Sequence, residues 1–206
     1  MRRAGFLALV ALIGLGSCGK SHGPKARFSS SNALCGVRGI EGREIAPIDG
    51  PGACGIADPV QITSVSGIAL STPVRVDCPT AIAFKNWVDH GIKPAARWRG
   101  RVKTIQIAAS YACRPRNSQS GAKLSEHALG HAIDVSGIEL RNGKVLTVQD
   151  NWRRGRVMKK MHKSACGTFG TVLGPKSDRF HQDHIHVDTA RYRSGPYCSP
   201  FSTLIN

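Results

Sequence analysis

An α+β domain, with an antiparallel sheet flanked by helices and stapled by disulfides, is the fold class the sequence predicts. Two observations carry this reading. Helical and strand patterns follow one another in the order helix, strand, hairpin, helix, strand, which suits helices packed on an antiparallel sheet. Six cysteines follow an export signal, and an even number in an exported chain reads as disulfides.

The N-terminus, MRRAGFLALVALIGLGSCGK, sets Arg2 and Arg3 before an apolar run from Phe6 to Leu15, then small residues. That run is too short to span a bilayer and has the layout of a secretory signal. Leu15-Gly16-Ser17-Cys18 resembles a bacterial lipoprotein box, which implies a signal over 1–17 and a lipid on Cys18 that anchors the chain to a membrane. The expected location is the periplasmic side of the cell envelope. The outer membrane is the default, since Gly19 supplies no inner-membrane retention signal. Residues 18–34, rich in Ser, Gly and Lys, read as a flexible tether. Residues 35–200 read as one domain and 201–206 as a tail.

Within the domain, residues 35–60 are dense in Gly, Pro and Ala, with Cys35 and Cys54 stapling loops. PVQITSV (59–65) reads as a short strand. PTAIAFKNWVDH (79–90) places Ile82, Phe84, Trp87 and Val88 at helical spacing with Pro79 near the start, and Gly91 and Pro94 are expected to interrupt it. RVKTIQIAASYAC (101–113) reads as a strand running into a loop, with Ile105 and Ile107 on one face. AIDVSGIELRNGKVLTV (132–148) reads as two strands joined at Asn142-Gly143. WRRGRVMKKMHKSAC (152–166) puts Val157, Met158 and Met161 on a helical core stripe, and DHIHVDT (183–189) reads as a strand. Pairing among Cys35, Cys54, Cys78, Cys113, Cys166 and Cys198 is open from sequence. Cys166 with Cys198, bracketing the last strand, is the one pair expected. No C-x-x-C occurs, which argues against a cysteine zinc site or a thioredoxin-like motif.

The net charge of +16 points to an acidic partner. Export makes nucleic acid a poor one, and the bacterial wall, whose stem peptides carry carboxylates, a better one. The chemistry-bearing residues cluster in LSEHALGHAIDVSG (124–137) and HQDHIHVD (181–188). His127 and Asp134 are separated by six residues, with Gly130 between them to permit a turn. His184 and His186, two apart on a strand, project from one face. If the strands of Asp134 and His186 are neighbours, a His/Asp/His zinc site forms with a fourth position left open.

SYACRPRN, SEHALGHAID and DHIHVD together resemble the metallopeptidase superfamily of D-Ala-D-Ala carboxypeptidases, lysostaphin-type enzymes and hedgehog domains. More closely, SYACR, LSEHALGHAID, VLGP, DHIHVD and the cysteine placement resemble the bacterial extensin-like C-terminal domain family over roughly residues 35–200. The resemblance implies a zinc-peptidase-like fold with His127, Asp134 and His186 as Zn²⁺ ligands. It also implies Ser125 as a substrate contact and Arg114 near the scissile carbonyl. For the general base it offers Asp183, His184 or His181. Strand parity favours His184, and His184 with Asp183 is the expected pair, which leaves His181 on the substrate side. The implied activity is zinc-dependent cleavage of peptidoglycan stem peptides or cross-links. The alternative is a zinc-containing wall-binding lipoprotein without hydrolysis.

HALGH sets His127 and His131 four apart, as in helical zinc proteases, but Ala128 stands where those need glutamate and Gly130 opposes a helix. His131 is therefore expected outside the ligand set, behind the ligands or on the substrate side, and it departs from the asparagine frequent in the extensin-like family. SGAK (120–123) matches S-x-x-K without a K-T-G partner, and G-x-S-x-G is absent, so a serine hydrolase is not indicated.

Overall fold

The structure, a computed structural model, describes residues 33–199. The expected signal, Cys18, the tail and all but the last two residues of the expected tether lie outside the described residues. The strands are β1 (Ile40–Glu44), β2 (Ile48–Asp49), β3 (Gly55–Ile56), β4 (Pro59–Val65), β5 (Ile68–Asp77), β6 (Val102–Ala109), β7 (Ala132–Leu140), β8 (Val145–Thr147), β9 (Thr171–Leu173), β10 (Ile185–Asp188) and β11 (Tyr197–Cys198). All but β2 and β3, which pair with each other, join one sheet in the order β1-β4-β5-β6-β7-β10-β9-β11, with β8 also on β7. The pairs are antiparallel except β5–β6 and β9–β11. The sheet is therefore mixed rather than wholly antiparallel.

The expected strands at 59–65 and within 101–113, the hairpin through Asn142-Gly143 and the final strand all form. The 35–60 segment, read as loops, also contributes β1. The ten-residue β5 is new relative to the sequence reading, because Pro73 and the polar Ser71-Thr72 make IALSTPVRVD look like a loop. Pairing with β4 shifts register between Ile62 and Ser64, and Pro73 falls in that irregularity, where a missing N–H breaks no ladder bond. On either side of it Ile68, Leu70, Val74 and Val76 point to the core.

The helices are α1 (Cys78–Trp87), α2 (Lys93–Ala96), α3 (Val148–Asn151) and α4 (Val157–Ala165). Asp77 caps α1, its carboxylate accepting from Thr80 N at 2.9 Å. The expected interruption at Gly91 and Pro94 does not occur. A π turn, Val88–Ile92, carries α1 directly into α2. The π turn shifts the hydrogen-bond register, so Pro94 falls in the first turn of the new one, where its lack of an N–H is tolerated. Gly91 has a packing reason instead. A Cβ there would collide with Ser164 Oγ and the Trp87 ring, so glycine lets α4 approach. Trp87 Nε1 donates to Met161 O at 2.9 Å across that contact. Phe84, Trp87, Ile92, Met158 and Met161 are buried against Ile62, Ile105, Ile133 and Ile138 of the sheet, each side chain contributing about 1.5–3 kcal/mol.

Three disulfides tie the margins down. Cys35–Cys78 holds the N-terminal turn to the start of α1, Cys54–Cys113 joins β3 to the segment after β6, and Cys166–Cys198 joins the end of α4 to β11. The last is the expected pair.

Gly91→Ala is expected to lower stability by roughly 1–3 kcal/mol through overpacking, read as a shifted urea midpoint at unchanged slope. A second expectation concerns His162, buried edge-on to Trp152 with Nε2 2.9 Å from Ser199 Oγ. Burial pushes its pKa down to about 4. The unfolded chain therefore binds the extra proton between pH 6.5 and 4, and this contribution is complete above pH 6.5 and lost as pH falls to about 4. The loss reaches up to about 3 kcal/mol. Urea titrations at pH 7 and 4.5 check it, since His162→Gln should flatten that part of the pH dependence.

Candidate metal centre

The centre lies where the β6–β7 connection folds back on the sheet. A 3-10 turn, Glu126–Leu129, is capped by Ser125, whose Oγ accepts from His127 N at 3.4 Å. Gly130, left-handed at φ +73°, ends the turn. It also packs where any Cβ would strike the Ile56 side chain. The turn delivers His127 at 1 % exposure. Asp134 and His186 arrive by a different route, as directly opposed residues of the antiparallel β7–β10 pair.

His186 Nδ1 lies 2.8 Å from Asp134 Oδ1, His127 Nε2 lies 3.1 Å from Asp134 Oδ2, and the two imidazole nitrogens are 3.2 Å apart. All three residues are buried. Their outer atoms fix the tautomers. His127 Nδ1 is 2.6 Å from the Ser110 carbonyl, which can only accept, and His186 Nε2 is 3.2 Å from Asp188 Oδ2. Each outer nitrogen therefore donates, and each inner nitrogen is left to bind a cation or to share a proton with the carboxylate. Three electron-rich groups within 4.8 Å of one another repel unless a cation or a proton joins them. Burial opposes charge on His186, but its bonds to Asp134 and Asp188 win and raise its pKa to about 9. Burial likewise opposes ionisation of Asp134, yet the bonds to His127 and His186 hold its carboxyl well below the usual range. Two nitrogen donors and one carboxylate, each imidazole pinned from behind, fit a zinc site with an open position.

The centre opens into a cavity of about 620 Å³ lined by Arg114, Ser125, His181 and His184, among others. His184 stands just before β10, so strand parity does not govern it. Its Nδ1 is 2.7 Å from Asp183 Oδ1 and its Nε2 is 3.6 Å from Asp134 Oδ2. Asp183, its side chain 66 % exposed, meets His184 rather than the ligands. His181 forms a second such pair, Nδ1 to Asp178 Oδ1 at 2.7 Å, with its ring centroid 5.1 Å from that of His184. Burial outweighs Asp178 and lowers the pKa of His181.

His131 does not line this cavity. It leaves the Gly130 turn between Glu126 Oε2, 3.1 Å from Nδ1, and Asp77 Oδ2, 3.6 Å from Nε2, and lines a neighbouring cavity of about 750 Å³. Sequence reasoning missed Asp188, although its spacing two beyond His186 on one strand carried the signal. It also missed Asp178 and the cavity-wall trio in which Arg116 Nη2 meets Tyr192 Oη at 3.1 Å and Glu126 Oε1 at 3.5 Å. Those join distant segments and left no trace in local pattern. A second cluster of metal-ligating residue types, His162 with Cys166 and Cys198, is spoken for by the Cys166–Cys198 disulfide.

The purified chain is expected to take up about one zinc, lost in His186→Ala. Asp188→Asn should weaken zinc affinity roughly 10–100-fold by freeing the ring of His186, read by competition with a chromophoric chelator.

Residues 33–199 match the family model described as extensin-like protein C-terminus. No curated protein and no solved structure matches the chain. The match covers every described residue, from the first disulfide to the last, and the chain belongs to the extensin-like C-terminal family.

Proposed function

We propose that this chain is a zinc-dependent peptidase of the cell envelope, related to the D-Ala-D-Ala carboxypeptidase and lysostaphin superfamily, that cleaves peptidoglycan stem peptides or cross-links. The observation that carries the reading is the pair of back-pinned imidazoles, His127 and His186, whose inner nitrogens converge with Asp134 on the floor of an open cavity. A zinc ion held by these three would polarise a peptide carbonyl and acidify a water.

The chain's own residues supply the rest. Asp183 holds the Nδ1 proton of His184, which leaves Nε2 as an acceptor facing the ligand cluster. His184 takes a proton there and returns it to the leaving amine. Asp183 acts through His184 and is a positioning residue. The exposed Asp178 beside it holds buried His181 and orients a second imidazole toward the same space. Arg114, on the cavity wall, stabilises charge that develops on the carbonyl oxygen. Ser125 both caps the His127 turn and lines the cavity, so its hydroxyl positions ligand and substrate together. The net charge of +16 favours an acidic polymer as partner, and the expected export and anchoring at Cys18 would bring the chain to the wall.

Muropeptide release from purified wall is expected to stop on chelation and return with zinc. His184→Ala should lower kcat roughly 10²–10⁴-fold and Arg114→Ala roughly 10²–10³-fold, each with zinc content unchanged. Tight wall binding by a zinc-loaded chain that releases no peptide would overturn the peptidase reading in favour of a binding lipoprotein.

A further inference from the structure

At the end of the sheet remote from the metal centre, two neighbouring loops form a surface that the peptidase reading does not use. The loop between α2 and β6 reads Arg97-Trp98-Arg99-Gly100-Arg101, with all three arginines exposed and Trp98 78 % exposed. The β7–β8 turn contributes Arg141 and Lys144, also exposed. The loops are joined, Arg141 N donating to Arg101 O at 2.8 Å and Asn142 Nδ2 to Arg99 O at 3.3 Å. Five or more cations thus share one tip, and neither 97–101 nor 141–145 contains an acidic residue.

Trp98 is unlike the other two tryptophans, Trp87 and Trp152, which are buried at 1 % and 5 %. Its ring lies under the Arg97 guanidinium at 4.8 Å. Val145, 52 % exposed, follows Lys144 directly, so each loop offers an apolar group beside its charges. Large exposed apolar groups are few on the described residues, and two of them fall in these adjoining loops.

We propose that this tip docks on an anionic phospholipid surface, with Trp98 at headgroup depth and the arginines against lipid phosphates. An exposed indole under one guanidinium, with further cations on the same loops, suits the membrane interface, where an amphipathic ring sits among headgroups and each cation adds attraction. The groups are exposed, and no residue of 97–101 or 141–145 lines either of the two cavities described above. A plane of fixed charge meets such a tip more readily than a threaded polymer chain does.

The strand register sets the consequence. Val102 pairs with Leu140 at the tip end, and Ala109 pairs with Asp134 at the metal end. Six residues of β7 separate Leu140 from Asp134, roughly 20 Å at ~3.3 Å per residue. A chain seated by the tip therefore holds its metal cavity away from the bilayer, toward whatever lies beyond it.

The test is sedimentation of the full chain with vesicles of phosphatidylcholine alone and with one third phosphatidylglycerol. The ratio of the two affinities removes any contribution that does not depend on lipid charge. The triple change Arg99→Glu, Arg101→Glu, Arg141→Glu is expected to lower that ratio by roughly tenfold or more. Brominated lipid tails should quench wild-type tryptophan emission far more than that of Trp98→Phe. Unchanged zinc uptake and thermal midpoint in these surface variants establish that they fold. An unchanged ratio overturns the proposal. So does tip-dependent binding to a soluble anionic wall polymer without binding to vesicles. Neither outcome depends on whether the chain cuts peptide bonds.

Discussion

The pairing of Asp134 against His186 across β7 and β10 is the constraint on which the rest of the centre depends. A carboxylate at 3 % exposure is tolerable only where donors or a cation meet it. Direct cross-strand opposition places the His186 ring within reach without asking any loop to hold position. Because both groups stand on ladder-bonded strands in the middle of a sheet, their separation is set by backbone hydrogen bonds rather than by side-chain compromise. A one-residue slip of β10 would turn His186 and Asp188 to the other face together.

His127 is the member of the cluster that the sheet cannot supply, and the margins of the fold are organised to hold it. The Cys54–Cys113 disulfide ties the start of its connection to β3, and Ile56 of β3 packs under Gly130 at its end. Between these, Ala112 N donates to His127 O at 3.2 Å and Ser125 N to Arg114 O at 3.1 Å. The same bonds fix the backbone of Arg114. His127 and the cavity wall are thereby set by one doubly anchored segment. On the other side Asp188 accepts both from His186 and from Ala190 N, so the residue that orients the ring is itself held by the chain leaving the strand.

Charge is divided over the molecule in a way that serves this arrangement. The chain is strongly basic, yet the carboxylates of Asp134 and Asp188 are buried together at the centre. Cation affinity is thus concentrated at one interior point, while the exterior repels cations and draws anions. Aspartates also recur as the partner of each cavity histidine, Asp183 for His184 and Asp178 for His181. In each pair the aspartate bond at Nδ1 directs the far nitrogen.

The sequence by itself determined the periodic elements and the residue types of the centre. Met158 and Met161 at helical spacing, the Asn142-Gly143 turn and the alternation of 185–188 are local patterns, and local patterns report which face a side chain takes. Strand β5 escaped because Pro73 breaks the local pattern while the long-range ladder tolerates it. Gly91 and Pro94 misled for the same reason, since a helix stop and a close helix contact look alike in one dimension. What only the tertiary structure decided was adjacency: that β7 lies beside β10, how the first four domain cysteines pair, and that His131 turns to a different cavity. Sequence spacing constrains neighbours within one element. Contacts between elements distant in the chain follow from how the core packs, and no local spacing encodes them.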